Sequence, residues 1–397
     1  MSLTGRAAHP ISRSAAFALC RSFTSRNPIN SSPRFPEGGG QGATVSDRAR
    51  SRISFMLTSI GVMQYLLSSL ALILFVGILA LLAQWSRKSR GAEITLLIVL
   101  VFASLLLLAT AGFLGLLWTS GQVSSEVYVQ RLLVVAAVTV AIAGLLGLAL
   151  CIPTLLKIVR GRPNGRFWTD PPIFLALWLF VAVLANNVVS IIGFEQLNQV
   201  GAFSLGAGGR IPPVAILASQ LPFVVIAVLG VGAGIRRGTR ATLARLGYGP
   251  ISLMHLGVVV LLIVVAFALS VAADSLFSQL QPDLYRQVGE VSNTLFNPKG
   301  LSPLSAVLFA LLIGVGAGLG EETLFRGAIQ PVFGIPATSV LFASMHVQYG
   351  PSLLLGYIFV LALGLGLLRR YINTTASFLA HAGYNTLGIL AVYLFNV

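Results

Sequence analysis

Residues 94–118 read ITLLIVLVFASLLLLATAGFLGLLW, an apolar run that contains no charged side chain. A hydrocarbon core about 30 Å thick is crossed by a helix of about 20 apolar residues, so this run is long enough to span a membrane. It lacks the alternation of apolar and polar residues that is typical of an outer-membrane barrel strand. Because a span in lipid must satisfy its own backbone hydrogen bonds, the run predicts a transmembrane helix.

Comparable apolar segments recur along the rest of the chain. They cover approximately residues 61–85, 94–118, 132–156, 172–192, 212–235, 251–273, 303–325, 332–348, 351–368 and 374–395. Of the 397 residues, 56% are hydrophobic and only 9% are charged, whereas a soluble domain contains about 25% charged residues. These proportions exclude a soluble enzyme and, for most of the length, a disordered chain. The sequence therefore predicts an all-α polytopic membrane protein with about ten apolar helices.

The net charge of +15 is concentrated in the N-terminal tail and in alternate connections between the apolar segments. The basic connections contain Arg87, Lys88 and Arg90; Lys157, Arg160, Arg162 and Arg166; Arg236, Arg237, Arg240 and Arg245; and Arg369 with Arg370. An excess of Lys and Arg in short connections marks the cytoplasmic side, so the first span is expected to begin outside. Residues 274–301 are then a polar loop on the outer side. This distribution argues against nucleic acid as a partner.

The N-terminal tail, residues 1–55, is basic, rich in Ser, Gly and Pro, and without hydrophobic periodicity. We expect it to be disordered and exclude it from the fold. The predicted topology places this basic tail on the outer side, contrary to the charge rule. Two explanations are open: the tail is a targeting extension, or the true start lies downstream, at Met56.

Two adjacent acids stand at the end of the seventh apolar segment, where residues 320–327 read GEETLFRG. A charged residue at the centre of a membrane helix costs about 2.5–3.5 kcal/mol, so a pair of acids needs an explanation. Glu322 and Arg326 are four residues apart on one helical face and can neutralise each other. Glu321 points about 100° away and remains free for chemistry. The glycines upstream give two small faces that let neighbouring helices approach closely: Gly314, Gly316, Gly318 and Gly320.

Two further polar sets lie in later apolar segments. Phe342 and His346 are four residues apart in the short eighth segment, and His381 and Asn385 are four residues apart in the last one. A carboxylate such as Glu321 with a histidine could take a proton from water and pass it to a leaving amine. A His/Asn pair could donate hydrogen bonds to the oxyanion of a tetrahedral intermediate. Together these side chains fit the hydrolysis of an amide.

The same side chains also permit a metal-dependent version of this chemistry. Glu321, His346 and His381 form an alternative ligand set for Zn²⁺, with water in the fourth position. The chain has no H-E-x-x-H motif, so the helical geometry of many zinc proteases is missing. The residues alone leave the metal-dependent and metal-free versions open.

These polar sets resemble the motifs of the CAAX prenyl endopeptidase and bacteriocin-processing family of intramembrane proteases (CPBP, also called Abi). Glu321, Glu322 and Arg326 match E-E-x-x-x-R, Phe342 and His346 match F-x-x-x-H, and His381 and Asn385 match H-x-x-x-N, in the family's order. The resemblance covers approximately residues 300–390. It implies a C-terminal helical core that encloses an intramembrane cavity in which a peptide bond is cut.

The resemblance also implies a role for each matched residue. Glu321 would activate the water with help from His346, while His381 and Asn385 would stabilise the oxyanion. Glu322, Arg326 and Phe342 would support them. Family members are often called metalloproteases, but a glutamate mechanism without metal is also argued. We favour the metal-free version and keep Zn²⁺ as the alternative cofactor.

We therefore divide the chain into the tail (1–55), N-terminal transmembrane helices of unknown role (56–250) and a protease-like core (251–397). The expected protein is an intramembrane endopeptidase of a bacterial plasma membrane. Its expected partners are the lipid bilayer and a membrane-associated peptide or protein substrate, CAAX-like or other.

Two other classes of function are open. A non-catalytic membrane scaffold, or an immunity or regulatory protein, could use the same fold and the same polar residues for packing. A transporter with a protonatable Glu321 would produce a pH-driven flux and no peptide product. The transporter has no obvious use for the pair His381 and Asn385.

Overall fold

A computed structural model describes residues 45–121, 123, 126–152, 170–199 and 211–395 of the chain. Over these residues the protein is helical and has no strands. The α-helices are α1 (Val45–Trp85), α2 (Arg90–Ser120), α3 (Val127–Cys151), α4 (Pro171–Ile192), α5 (Phe194–Gln199), α6 (Pro213–Gly230), α7 (Thr239–Leu246), α8 (Leu253–Leu280), α9 (Pro282–Phe296), α10 (Pro303–Glu322), α11 (Gln330–Ser344), α12 (Leu353–Tyr371) and α13 (Thr374–Phe395). A π-helix (Thr323–Ile329) joins α10 to α11, and a 3₁₀-helix (Val347–Tyr349) follows α11.

Nine helical stretches within the described residues are long and apolar enough to cross a membrane. They confirm the predicted all-α polytopic membrane protein. The count differs from the predicted ten because the segments 303–325 and 332–348 belong to one continuous helical run, Pro303–Ser344. Helix α10 passes through the π-helix into α11, and a kink at Gly334, not a loop, interrupts the run.

The run Pro303–Ser344 is bent within α11. Gly334 has φ 78° and ψ 174°, a conformation that glycine adopts readily because it has no Cβ. Pro336, two residues later, has no backbone N–H to donate to a helical hydrogen bond. The part of α11 after this bend is about 15 Å long at 1.5 Å per residue, which is too short to cross a hydrocarbon core. It therefore ends inside the helical bundle.

The basic connections that the structure describes lie together at one end of the bundle, which we call the basic end. Arg245 of α7 donates from Nη1 to the carbonyl oxygen of Gly327 in the π-helix, at 3.0 Å. Thr374, the first residue of α13, donates from Oγ1 to the carbonyl oxygen of Leu246 at 2.6 Å. The Arg369 guanidinium packs against the turn that ends α7. Helix α7 thus connects the basic ends of α10, α12 and α13.

The predicted polar loop 274–301 is instead mostly helical. Helix α8 continues to Leu280, and α9 occupies Pro282–Phe296. Helix α9 is amphipathic, because Val288, Val291 and Leu295 are buried in a cluster that includes Phe277 of α8. Its many polar residues obscured this apolar spacing in the sequence. As a consequence Asp274, which the sequence placed in a loop, is part of a membrane helix.

The predicted domain boundaries are only partly within the described residues. Helix α1 begins at Val45, inside the predicted tail 1–55, and residues 1–44 lie outside the described residues. The division at residue 250 remains a prediction. Helix α6 of the N-terminal part packs directly on α10, where a Cβ at Gly320 would lie 3.0 Å from Cβ of Gln220.

Candidate active site

The glycines of α10 bring two neighbouring helices into close contact with it. A Cβ at Gly314 would lie 2.6 Å from the carbonyl oxygen of Ala382 in α13, and a Cβ at Gly318 would lie 3.1 Å from the backbone nitrogen of the same residue. Gly320 faces α6, and a Cβ on it would clash with Oε1 of Gln220. The predicted close approach of neighbouring helices is confirmed on two faces. It places the end of α10 beside the polar residues of α13.

Glu322 is fully buried between two polar partners. Its Oε2 lies 3.1 Å from Nε of Arg326, which forms the predicted ion pair at i,i+4. The two groups are poorly aligned for a hydrogen bond, so this contact is primarily electrostatic. The Oε1 atom lies 2.9 Å from Nδ1 of His381. Glu322 therefore connects the π-helix to α13, a contact that the sequence did not predict.

The Phe342 ring lies at the centre of the matched residues. The guanidinium carbon of Arg326 is 4.9 Å from its centroid, within the range of a cation–π contact. The His346 ring is 5.0 Å away on one side, and the His381 ring is 5.8 Å away in an edge-to-face arrangement. Phe325 of the π-helix completes the cluster at 5.2 Å. The phenyl ring thus holds both imidazoles in position by packing.

His346 is the second residue after the end of α11, between that helix and the 3₁₀-helix. Its Nδ1 lies 3.0 Å from the carbonyl oxygen of Phe342. Because a carbonyl only accepts, Nδ1 carries the proton in this contact and Nε2 is left as the acceptor. Burial lowers the pKa of the imidazole, and the nearby Glu321 carboxylate opposes this effect. The lowered pKa favours the neutral ring near pH 7.

The residues predicted to do chemistry line one cavity. This cavity has a volume of about 380 Å³, and its wall contains Glu321, Phe342, His346, His381 and Asn385. The volume lies within the range of about 300–1,000 Å³ that is typical of ligand sites. Four separate elements supply these side chains: α10, α11, the connection after α11, and α13. Glu322 and Arg326 are not among the lining residues and lie behind the wall.

Glu321 differs from its neighbour in its surroundings. Its Oε2 atom is buried and has no hydrogen-bond partner among the described residues. The same side chain forms part of the cavity wall. An intramembrane carboxylate without a partner is costly to bury. The carboxylate therefore keeps an unsatisfied hydrogen-bond acceptor next to the cavity.

Sequence reasoning missed several residues of the cavity wall. Asp274, Tyr357 and Tyr384 line it, as does Gln220 from the N-terminal part of the chain. The two tyrosine hydroxyl groups are 2.8 Å apart. The spacing of Phe267, Ser270, Asp274 and Phe277 on one face of α8 is a signal that could have extended this helix to Asp274. No local signal pointed to Gln220, which reaches the site only through helix packing.

The alternative Zn²⁺ set does not assemble into a metal site. In the part of the chain that the structure describes, no three His, Cys, Asp or Glu side chains are grouped so that they could hold a metal ion. The residues present therefore do not fit the ion, and we derive no step through it.

Comparison with known proteins supports the expected family. Residues 303–387 match the family model described as Rce1-like, type II CAAX prenyl endopeptidase. This segment contains all three motifs, so the predicted resemblance is confirmed over the matched residues. The match connects this part of the chain with a protease family and thus with hydrolases in general. The chain matches no curated protein and no solved structure.

Proposed function

We propose that the chain is an intramembrane endopeptidase in which Glu321 is the general base. The observation that carries this proposal is the buried, unpartnered Oε2 of Glu321 in the wall of a cavity that two histidines and an asparagine also line. The family match over residues 303–387 supports a protease. A purely structural role for Glu321 would require a partner for its carboxylate, and the described residues provide none for Oε2.

The first step is the activation of water by Glu321 and His346. The carboxylate accepts a proton from the water, and Nε2 of His346 accepts the second hydrogen bond and orients the molecule. The hydrogen bond from Nδ1 to the Phe342 carbonyl keeps His346 in the required tautomer. The hydroxide oxygen then forms a bond to the carbonyl carbon of the scissile peptide.

The second step is the stabilisation of the oxyanion by His381 and Asn385. Glu322 accepts a hydrogen bond from Nδ1 of His381, and its charge favours the imidazolium form. In that form Nε2–H of His381 also donates, beside the amide of Asn385 in the same cavity wall. Two donors at this position would stabilise the negative charge that develops on the carbonyl oxygen. Glu322 and Arg326 act as positioning residues behind the wall.

The last step is the breakage of the C–N bond. Glu321 returns the proton taken from water to the leaving amine, which departs as a neutral amino group. The tetrahedral intermediate collapses to a carboxylic acid, so one water is consumed for each bond cut. We propose that the protein is a multi-pass protein of a bacterial plasma membrane. Its proposed substrate is a membrane-associated peptide or protein, CAAX-like or other.

The proposal is tested by Glu321→Gln, which keeps the shape of the side chain and removes the base. The full chain is reconstituted in liposomes with a membrane peptide library, and products are read by mass spectrometry. We expect cleavage to fall about 10²–10⁴-fold, the usual contribution of a general base.

A matched control is Glu93→Gln, which makes the same change in α2, away from the cavity. This variant should cleave as the unsubstituted protein does. Equal cleavage by the Glu321→Gln variant, or no cleavage by any of the proteins, would overturn the proposal and favour a non-catalytic scaffold.

A further inference from the structure

Asp274 is a second acid in the cavity wall, and the proposed reaction does not use it. It lies in the candidate span Leu253–Leu280, where an ionised carboxylate is costly unless it is paired. Over the described residues, the ion pairs between a basic side chain (Lys or Arg) and an acid are Arg87 with Asp170, Arg286 with Asp283, and Arg326 with Glu322. None of them includes Asp274. A carboxylate kept in an apolar helix without a basic partner needs another explanation.

The position of Asp274 is set by two helices. Phe267, Ser270, Asp274 and Phe277 share one face of α8, and all four line the cavity. The hydroxyl group of Tyr285 in α9 donates to Oδ2 of Asp274 at 3.2 Å. A hydrogen bond to the ionised form stabilises the carboxylate and orients it. This hydrogen bond therefore fixes the orientation of the carboxyl group in the cavity wall.

The charges of the cavity wall favour a cation as its occupant. Among the described lining residues, the acidic side chains are Glu321 and Asp274, and lysine or arginine is absent. The imidazole of His381 also lines the cavity, but it is paired with Glu322 behind the wall. In a low-dielectric site a basic group is attracted to such a wall, and a carboxylate is repelled by it. Because Glu321 and Asp274 line the same cavity, a peptide that fills this cavity contacts both acids.

We propose that Asp274, oriented by Tyr285, is a specificity-determining residue that binds a basic side chain of the substrate. This inference rests on the proposed function and narrows it. The substrate segment carries a lysine or arginine close to the scissile bond, and an acidic side chain at that position is rejected. Asp274 selects the substrate and does not take part in bond cleavage.

Binding is measured first, without any need for cleavage. The Glu321→Gln protein in lipid nanodiscs is titrated by calorimetry with capped pentapeptides of four leucines around a central lysine, norleucine or glutamate. The heat measured with empty nanodiscs is subtracted, because the peptides also partition into lipid. We expect the lysine peptide to bind about tenfold more tightly than the norleucine peptide, the size of one charged hydrogen bond. The glutamate peptide should bind most weakly.

Substitutions at the acid then test its role. In the Glu321→Gln protein, the additional substitution Asp274→Asn should reduce the preference for the lysine peptide over the norleucine peptide to less than about threefold. Asp274→Glu should retain most of this preference. The matched control is Asp283→Asn, which removes the same charge from an acid of α9 that is 84% exposed and outside the cavity wall.

Three results would overturn the inference. The first is that the lysine peptide binds no more tightly than the norleucine peptide, which includes no binding of either peptide. The second is that Asp274→Asn leaves the preference for lysine unchanged. The third is that Asp283→Asn reduces this preference as much as Asp274→Asn does. Cleavage of the same peptides by the protein with Glu321 intact separates the two proposals. Cleavage without a preference for lysine refutes only the role of Asp274, while Asp274-dependent binding without cleavage refutes only the protease.

Discussion

Glu321 and Glu322 are adjacent in the chain and have opposite surroundings. Glu322 is fully buried and lies within 3.1 Å of Arg326 and 2.9 Å of His381. Glu321 borders the cavity, and its Oε2 has no partner among the described residues. Loss of the Glu322 charge removes the carboxylate that forms the ion pair with the buried Arg326 guanidinium. Loss of the Glu321 charge removes a carboxylate whose Oε2 has no hydrogen-bond partner among the described residues.

This difference predicts opposite effects on stability. We expect Glu322→Gln to lower the free energy of unfolding by about 3–5 kcal/mol, because it breaks a buried ion pair from one side. Glu321→Gln should leave the thermal unfolding temperature unchanged or raise it. The measurement is thermal unfolding of both purified variants in the same detergent.

A second substitution provides the control for the ion pair. The double variant Glu322→Gln with Arg326→Met removes both buried charges and should recover part of the lost stability. Equal destabilisation by the two single glutamine variants, or no recovery in the double variant, would show that the contrast between the neighbouring acids is incorrect.

Local spacing predicted one of the two contacts of Glu322. The ion pair with Arg326 is confirmed, because residues four apart are neighbours on a helix. The contact with His381 joins residues that are 59 positions apart, and no local period encodes it. The same limit applies to Asp274, whose place in the cavity depends on how α8 packs against the core.

The helical run α10–π-helix–α11 connects the two halves of the candidate site. Its glycine face brings α13 close enough for His381 and Asn385 to reach the cavity that Glu321 borders. The bend at Gly334 and the short helix after it place His346 inside the bundle. The sequence indicated both the small faces and the short segment, but not the π-helix.

The close packing at Gly314 is open to a direct test. A methyl group there would lie 2.6 Å from the carbonyl oxygen of Ala382, so Gly314→Ala should destabilise the protein by about 1–3 kcal/mol through overpacking. It should also reduce cleavage, because it moves α13 away from Glu321. Thermal unfolding and the liposome assay measure the two effects.

The matched control is Gly115→Ala in α2, where an added Cβ would meet nothing within 4 Å. In that apolar helix alanine should be neutral or stabilising, since it has the higher helix propensity. If the two alanine variants unfold at the same temperature, close packing at Gly314 is not important for the fold.

At the level of the complete protein, the charges define two different ends of the bundle. The arginines of α7 and the end of α12 lie at the basic end, next to the π-helix. At the other end, the Leu353 amide of α12 donates to Oε1 of Gln281 at 3.0 Å, and α9 lies beside it. By the charge rule the basic end faces the cytoplasm and α9 faces outward.

This orientation is tested by labelling single cysteines in a background with Cys20→Ser and Cys151→Ser. Asp283→Cys in α9 should react with a membrane-impermeant maleimide in intact cells. Arg240→Cys in α7 should react only after the cells are opened. Both positions are exposed in the folded chain, so access depends on the side of the membrane. The reverse pattern would invert the topology.

The amino-acid sequence alone was sufficient for the membrane class, for most of the helices and for the identity of the matched residues. Each of these follows from local properties: the length of an apolar run, the charges beside it, and spacing within one helix. Folding in three dimensions was needed to bring Glu321, His346, His381 and Asn385 into one cavity, to join Glu322 to His381 and to add Asp274 to the wall. These relations connect distant segments, so they arise from the packing of helices against one another, which no local pattern specifies.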